Sequence, residues 1–220
     1  DNGEFLANRL MGAFSEKRPW PQQLVHIATD GETYGHHHAH GEMALSHALR
    51  LLDADPAVRV TNYGEHLERF PPTHEVRIFD NSSWSCVHGV ERWRSNCGCN
   101  SGGRPGWNQE WRGPLREALD GLRDSIAPLF EGEGRKLFKD PWAARDGYIS
   151  VILDRSDASA DAFLGEHAAG ELTPDQKSRA LQLMEMQRQA MLMYTSCGWF
   201  FDELSGLETV QVMQYAGRVV

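Results

Sequence analysis

A chain of 220 residues, 40% of them hydrophobic, is long enough and apolar enough to bury a core, which excludes a disordered tail. Its net charge of -9 and pI near 5.5 come from acidic residues scattered without blocks. That distribution excludes a nucleic-acid or anionic-membrane binder and favours neutral or cationic partners. No run approaches the roughly 18–20 apolar residues of a membrane span, and no charged-then-apolar leader opens the chain, so a cytoplasmic protein is expected.

Residues 4–14 place Phe5, Leu6, Leu10 and Phe14 at helical spacing, and the Lys-Arg-Pro-Trp-Pro run at 17–21 ends that helix. Leu24 to Ala28 is a short apolar run of buried-strand type that empties into the turn Thr29-Asp30-Gly31. Gly41 to Leu52 resumes helical periodicity, while 58–61 and 75–79 are candidate strands. From Asn81 to Trp111 Ser, Cys, Gly, Asn, Arg and Trp dominate without periodicity, so a long functional or stapled loop is expected. Helices are predicted for 111–129, 141–153 and 174 to about 204, the last with Thr173 as N-cap and Pro174 at its first position. A final helix begins near Leu207, and 156–169, rich in small residues, reads as a linker or a frayed helix. Asp1 at the start, and an apolar helical pattern still running at Val220, read as cuts, so a piece of a larger protein is expected.

The most chemically loaded segment is Thr29 to His38. Asp30 and Glu32 flank a glycine at the mouth of a predicted strand, where α/β enzymes of the barrel and open-sheet kinds keep catalytic groups. A second carboxylate in a partly desolvated cleft raises the pKa of the first, as proton donation to a leaving group requires. The bland reading makes Asp30 a turn cap and leaves Glu32 solvated. His36, His37, His38 and His40 then line a polar pocket for sugar hydroxyls, help Asp30 or Glu32 hold a metal, or decorate an exposed helix N-terminus.

The run Asp30-Gly31-Glu32-Thr33-Tyr34-Gly35-His36 resembles the fourth conserved region of family 57 glycoside hydrolases. These are retaining enzymes acting on α-glucans, with an incomplete seven-stranded β/α barrel followed by a helical region. The resemblance implies that Asp30 is the general acid/base. It also implies that the glutamate nucleophile lies well upstream, outside these residues, since retaining glycosidases bring two carboxyl groups to about 5–5.5 Å and Glu32 is too close in sequence. The whole chain, including Trp84 to Arg94 and Cys197 to Phe201, is similar to an uncharacterised domain found fused to such glycosidase domains.

Cys86-x-His88 and Cys97-x-Cys99 put three thiols and an imidazole inside fourteen residues, the inventory of a tetrahedral structural zinc site, with Cys197 as a substitute ligand. The competing reading is a set of small buried thiols or a disulfide. Without a secretory signal, reduced thiols or metal are favoured over disulfides. Trp84, Trp93, Trp107 and Trp111 plug a core or stack on sugars, and Trp199 and Asp202 either belong to the core or reach the cleft.

The fold expected is α/β but predominantly helical: a fragment of an incomplete β/α barrel (1–80), a Cys/Trp loop (81–111) and a helical bundle (112–220). The function expected is part of a glycoside hydrolase or glucanotransferase, with Asp30 and Glu32 catalytic and His36, His37, His38, Trp84 and Trp199 binding substrate. The partners expected are a carbohydrate and the rest of the parent chain, with a structural zinc and no organic cofactor. The rivals are a metal-dependent deacetylase or mannosidase-like enzyme and a non-catalytic carbohydrate-binding or scaffolding domain.

Overall fold

The computed structural model describes residues 2–20 and 22–220 and divides into two compact units, one ending at Arg77 and the other spanning Ile78–Val220. Each unit is helical.

In the first unit, α1 (Gly3–Met11) begins at Asn2, whose Oδ1 accepts the Glu4 N–H at 2.9 Å. It ends at Met11, three residues short of the periodicity-based expectation, with Gly12 as its C-cap. α2 (Gly41–Ala54) lies against α1 through small residues: Ala7 and Ala48 are buried, and a side chain at Gly3 would collide with the His47 Cβ and the Ala44 carbonyl. α3 (Tyr63–Arg69), which periodicity does not reveal, is capped by Asn62.

The three expected strands, 24–28, 58–61 and 75–79, run without regular structure, and among the described residues no ladder forms. The barrel fragment is therefore not seen, and the fold is predominantly helical. Alternating β-branched residues favour extended backbone, but a strand also needs a neighbour for its N–H and C=O groups. Here Ile27, Val60 and Val76 are exposed rather than packed.

In the second unit, residues 81–111 form an irregular loop with a single 3-10 turn at Glu91–Trp93. The bundle follows as α4 (Arg112–Gly134), α5 (Pro141–Gly147), α6 (Ile149–Leu153), α7 (Asp157–His167), α8 (Pro174–Leu192) and α9 (Leu207–Gly217). Thr173 caps α8 and Pro174 opens it, as expected, and Gln176 accepts the Thr173 N–H in return to complete a reciprocal capping box. Residues 157–167, expected as linker or frayed helix, are a helix capped by Ser156.

The bundle holds two apolar cores. One joins Phe130, Phe138, Tyr148, Phe163, Leu183 and Met184, and the other joins Leu119, Ala190, Met193, Trp199, Val212 and Val219. α4 and α8 are long enough to contribute to both. Each large apolar side chain removed from water contributes about 1.5–3 kcal/mol. α8 ends at Leu192 rather than near 204, and a 3-10 turn at Ser196–Trp199 follows. A side chain at Gly198 would strike Val212, so glycine here permits α9 to approach the turn.

Candidate metal centre

The Cys86, Cys97, Cys99 and His88 ligand atoms all lie within 4.8 Å of one another. Local backbone chemistry explains how such unusual spacings converge. Asn96 Oδ1 accepts the Gly98 N–H at 3.2 Å, and Gly98 sits at φ +79, a left-handed conformation that glycine adopts at no steric cost. One glycine between the cysteines thus reverses the chain tightly enough for both sulfurs to reach the cluster. The Cys86 end uses the same device: the Gly89 N–H donates to the Cys86 carbonyl at 3.0 Å, with Gly89 at φ +66. A side chain there would strike the Asn81 carbonyl.

Cys86 Sγ and Cys99 Sγ are 3.8 Å apart, and His88 Nδ1 lies 3.7 Å from the first and 3.6 Å from the second. A tetrahedron with metal–sulfur bonds of about 2.3 Å and metal–nitrogen bonds of about 2.0–2.1 Å has ligand–ligand edges of roughly 3.5–3.8 Å. The three edges among Cys86, His88 and Cys99 match it, and Cys97 completes the set within 4.8 Å. They are far too long for a disulfide, whose sulfurs are about 2.05 Å apart, and all four cysteines are free. Burial opposes ionisation of Cys86, but hydrogen bonds from the His88 backbone and side chain, Cys99 and Arg92 outweigh it and bring the thiol down to about 6. Hydrogen bonds with Cys97 and Cys86 push the Cys99 thiol up. The pocket thus favours a first thiolate at Cys86, and the donor set of three thiols and an imidazole suits zinc.

Other groups fasten this loop to the bundle. Arg112, wholly buried at the start of α4, donates to Cys97 Sγ at 3.4 Å and to the Phe200 carbonyl at 3.3 Å. Trp93 Nε1 donates to the Ser196 carbonyl at 3.1 Å, and the Arg92 guanidinium lies 4.8 Å from the Phe200 ring centre. Asp202 is buried and accepts from the Ser101 N–H, the Ser101 hydroxyl and the Gln109 amide. Burial works against its ionisation, yet these bonds hold its carboxyl below the usual carboxylate range. Arg112 and Gln109 carry no sequence signal: their partners lie 15 to 93 positions away.

Several expected site residues sit elsewhere. Cys197 is exposed on the 3-10 turn and is not among the converging ligands. Trp199 is buried and stacked on Trp111, ring centres 5.9 Å apart, so it cannot offer a face to a sugar. Asp202 anchors the loop instead of facing a cleft. Trp84 is 91% exposed.

Asp30 precedes a 3-10 turn at Gly31–Thr33, where its carbonyl accepts the Thr33 N–H at 3.0 Å while its carboxylate caps nothing. It follows an extended segment rather than a strand. The turn continues through His36 and His37 N–H groups donating to the Glu32 carbonyl and a Tyr34–His38 bridge. Asp30, Glu32, His36, His37, His38 and His40 are all exposed, so the histidines enclose no pocket. Among the described residues only the Cys/His cluster gathers three or more metal-ligating atoms. A cleft of about 860 Å³ in the first unit is lined by Thr29 and Tyr34, on either side of the turn, and by apolar side chains such as Leu10, Leu52 and Phe70. His26 Nδ1 and Tyr63 Oη meet there at 2.5 Å.

Among the described residues no helix is long and apolar enough to cross a membrane. No curated protein and no solved structure matches the chain. Residues 107–220 match the family model described as Domain of unknown function (DUF3536). The matched region holds Arg112, Trp199 and Asp202, while the four metal-ligand candidates and the acidic turn precede it. Because the match takes in just over half of the chain, the protein belongs to this uncharacterised DUF3536 family.

Proposed function

We propose that residues 78–220 form a helical module closed by a structural zinc ion on Cys86, His88, Cys97 and Cys99. The observation that carries this reading is the convergence of four ligand atoms within 4.8 Å in a loop whose regular structure is a single 3-10 turn. Four protein ligands leave no open position for water or substrate, which is the arrangement of a structural rather than a catalytic zinc. Metal binding to such a site supplies folding free energy directly. Chelation should therefore lower the thermal unfolding temperature and zinc should restore it. A melting curve unmoved by a strong chelator would refute the proposal.

A second reading concerns the parent protein: a glycoside hydrolase or glucanotransferase acting on α-glucans, with Asp30 as general acid/base and the nucleophile supplied from outside these residues. It is supported by the resemblance of Asp30 to His36 and by a carboxylate that no helix cap consumes. The deacetylase-like alternative draws no comparable support, because the histidines and carboxylates of this turn gather no metal-ligand set among the described residues. An acid matters most when the leaving group is poor. In the parent protein Asp30→Ala should slow a natural glucan by about 10²–10⁴ and an activated aryl glycoside far less. Equal losses on both substrates would rule out Asp30 as the acid.

A further inference from the structure

We infer that Arg112 is the counter-ion of the metal centre and the residue that ties metal occupancy to the packing of the segment around Phe200; this rests on the zinc reading above. The Arg112 side chain is completely buried and its guanidinium is charged at any ordinary pH. Yet among the described residues it has only two hydrogen-bond acceptors: Nη1 reaches Cys97 Sγ, Nη2 reaches the Phe200 carbonyl, and Nε finds none. Neither a carbonyl nor a neutral thiol balances a buried cation. The Asp202 carboxylate, kept ionised by donors from Ser101 and Gln109, acts on Arg112 through space, and the Arg92 guanidinium acts on it with the opposite sign, so the two cations share one carboxylate.

The location sharpens the problem. Arg112 is the first residue of α4, a 23-residue helix with no acidic residue in its first turn. A helix N-terminus carries about half a positive charge, so a cation there is disfavoured unless an anion stands beside it. The metal centre supplies that anion. Three thiolates, a neutral imidazole and a divalent cation sum to one negative charge, which complements the one positive charge left by Arg112 and Arg92 beside the Asp202 carboxylate. In return, N–H donation to Cys97 Sγ disperses thiolate charge and fixes the ligand's orientation, as partners beyond the ligands do at other metal sites. Arg92, which acts on Cys86 and packs over Phe200, flanks the same cluster. Through Arg112 Nη2 the bond continues to Phe200, next to the buried Trp199.

The test compares the wild type with Arg112→Met and Arg112→Lys, measuring zinc affinity by competition with a chromophoric chelator and recording the spectrum of the cobalt(II)-substituted protein. Arg112→Met should bind zinc about 10–100-fold more weakly. Its sulfur-to-cobalt charge-transfer band should shift, and Arg112→Lys should recover part of both effects. Should the methionine variant not fold, the wild type still answers: its Arg112 guanidinium proton resonances should shift and exchange more slowly when zinc is added. Wild-type affinity and an unchanged cobalt spectrum in Arg112→Met would overturn the assignment, as would guanidinium resonances indifferent to zinc. A wild type that binds no zinc would end the metal reading itself, and this assignment with it.

Discussion

Trp84 and Trp199 show how differently the same residue type is used. Trp199 is 1% exposed against Trp111 and Val212, whereas Trp84 is 91% exposed. Trp199→Ala should therefore cost about 3–5 kcal/mol by denaturant unfolding. Trp84→Ala should stay within about 0.5 kcal/mol. Comparable losses at both positions would contradict the burial assignments. Residue type and spacing made the cysteine–histidine inventory legible. They did not make Arg112 legible, because a buried arginine has no periodicity and its partners come from distant segments. Trp199 and Asp202 were ambiguous for a related reason: an aromatic or a carboxylate in a glycine-rich patch suits a core as well as a cleft.

At the level of elements, helix starts were the most readable feature, since capping is local chemistry. Thr173, Pro174 and Gln176 lie within four residues and fix the start of α8 without help from the rest of the chain. Its end was not readable. Helical periodicity runs on toward 204, but the chain turns at Thr195 to Trp199 because Gly198 packs against Val212 of α9, a contact that sequence spacing does not encode. The strands failed for the same reason in stronger form, since pairing is non-local. The two cores of the bundle should also respond differently to metal. Leu119, Trp199 and Val212 belong to the core that Trp93, Trp111 and the Arg112 bonds fasten to the cysteine loop, whereas Phe138, Phe163 and Leu183 belong to the other. Hydrogen exchange should show chelation accelerating amides near 112–122 and 196–219, with 138–183 nearly unaffected. Uniform acceleration would mean that the metal does not act locally.

Taken as a whole molecule, the chain holds a helical unit rich in exposed apolar residues and a second unit whose longest stretch of little regular structure, residues 81–111, carries three of the four cysteines. A long loop with little periodic structure costs conformational entropy that its own packing hardly offsets, and a metal bound by four side chains is a direct way to supply the difference. The family match begins at residue 107, downstream of those ligands, yet includes Arg112 and the segment that the loop is fastened to. Zinc-edge X-ray absorption on the purified protein reads the coordination shell itself. The expected result is one zinc per chain with three sulfurs at about 2.3 Å and one nitrogen at about 2.0–2.1 Å. A shell of oxygen and nitrogen alone, or a protein that takes up no zinc when zinc is supplied, would contradict the proposed centre.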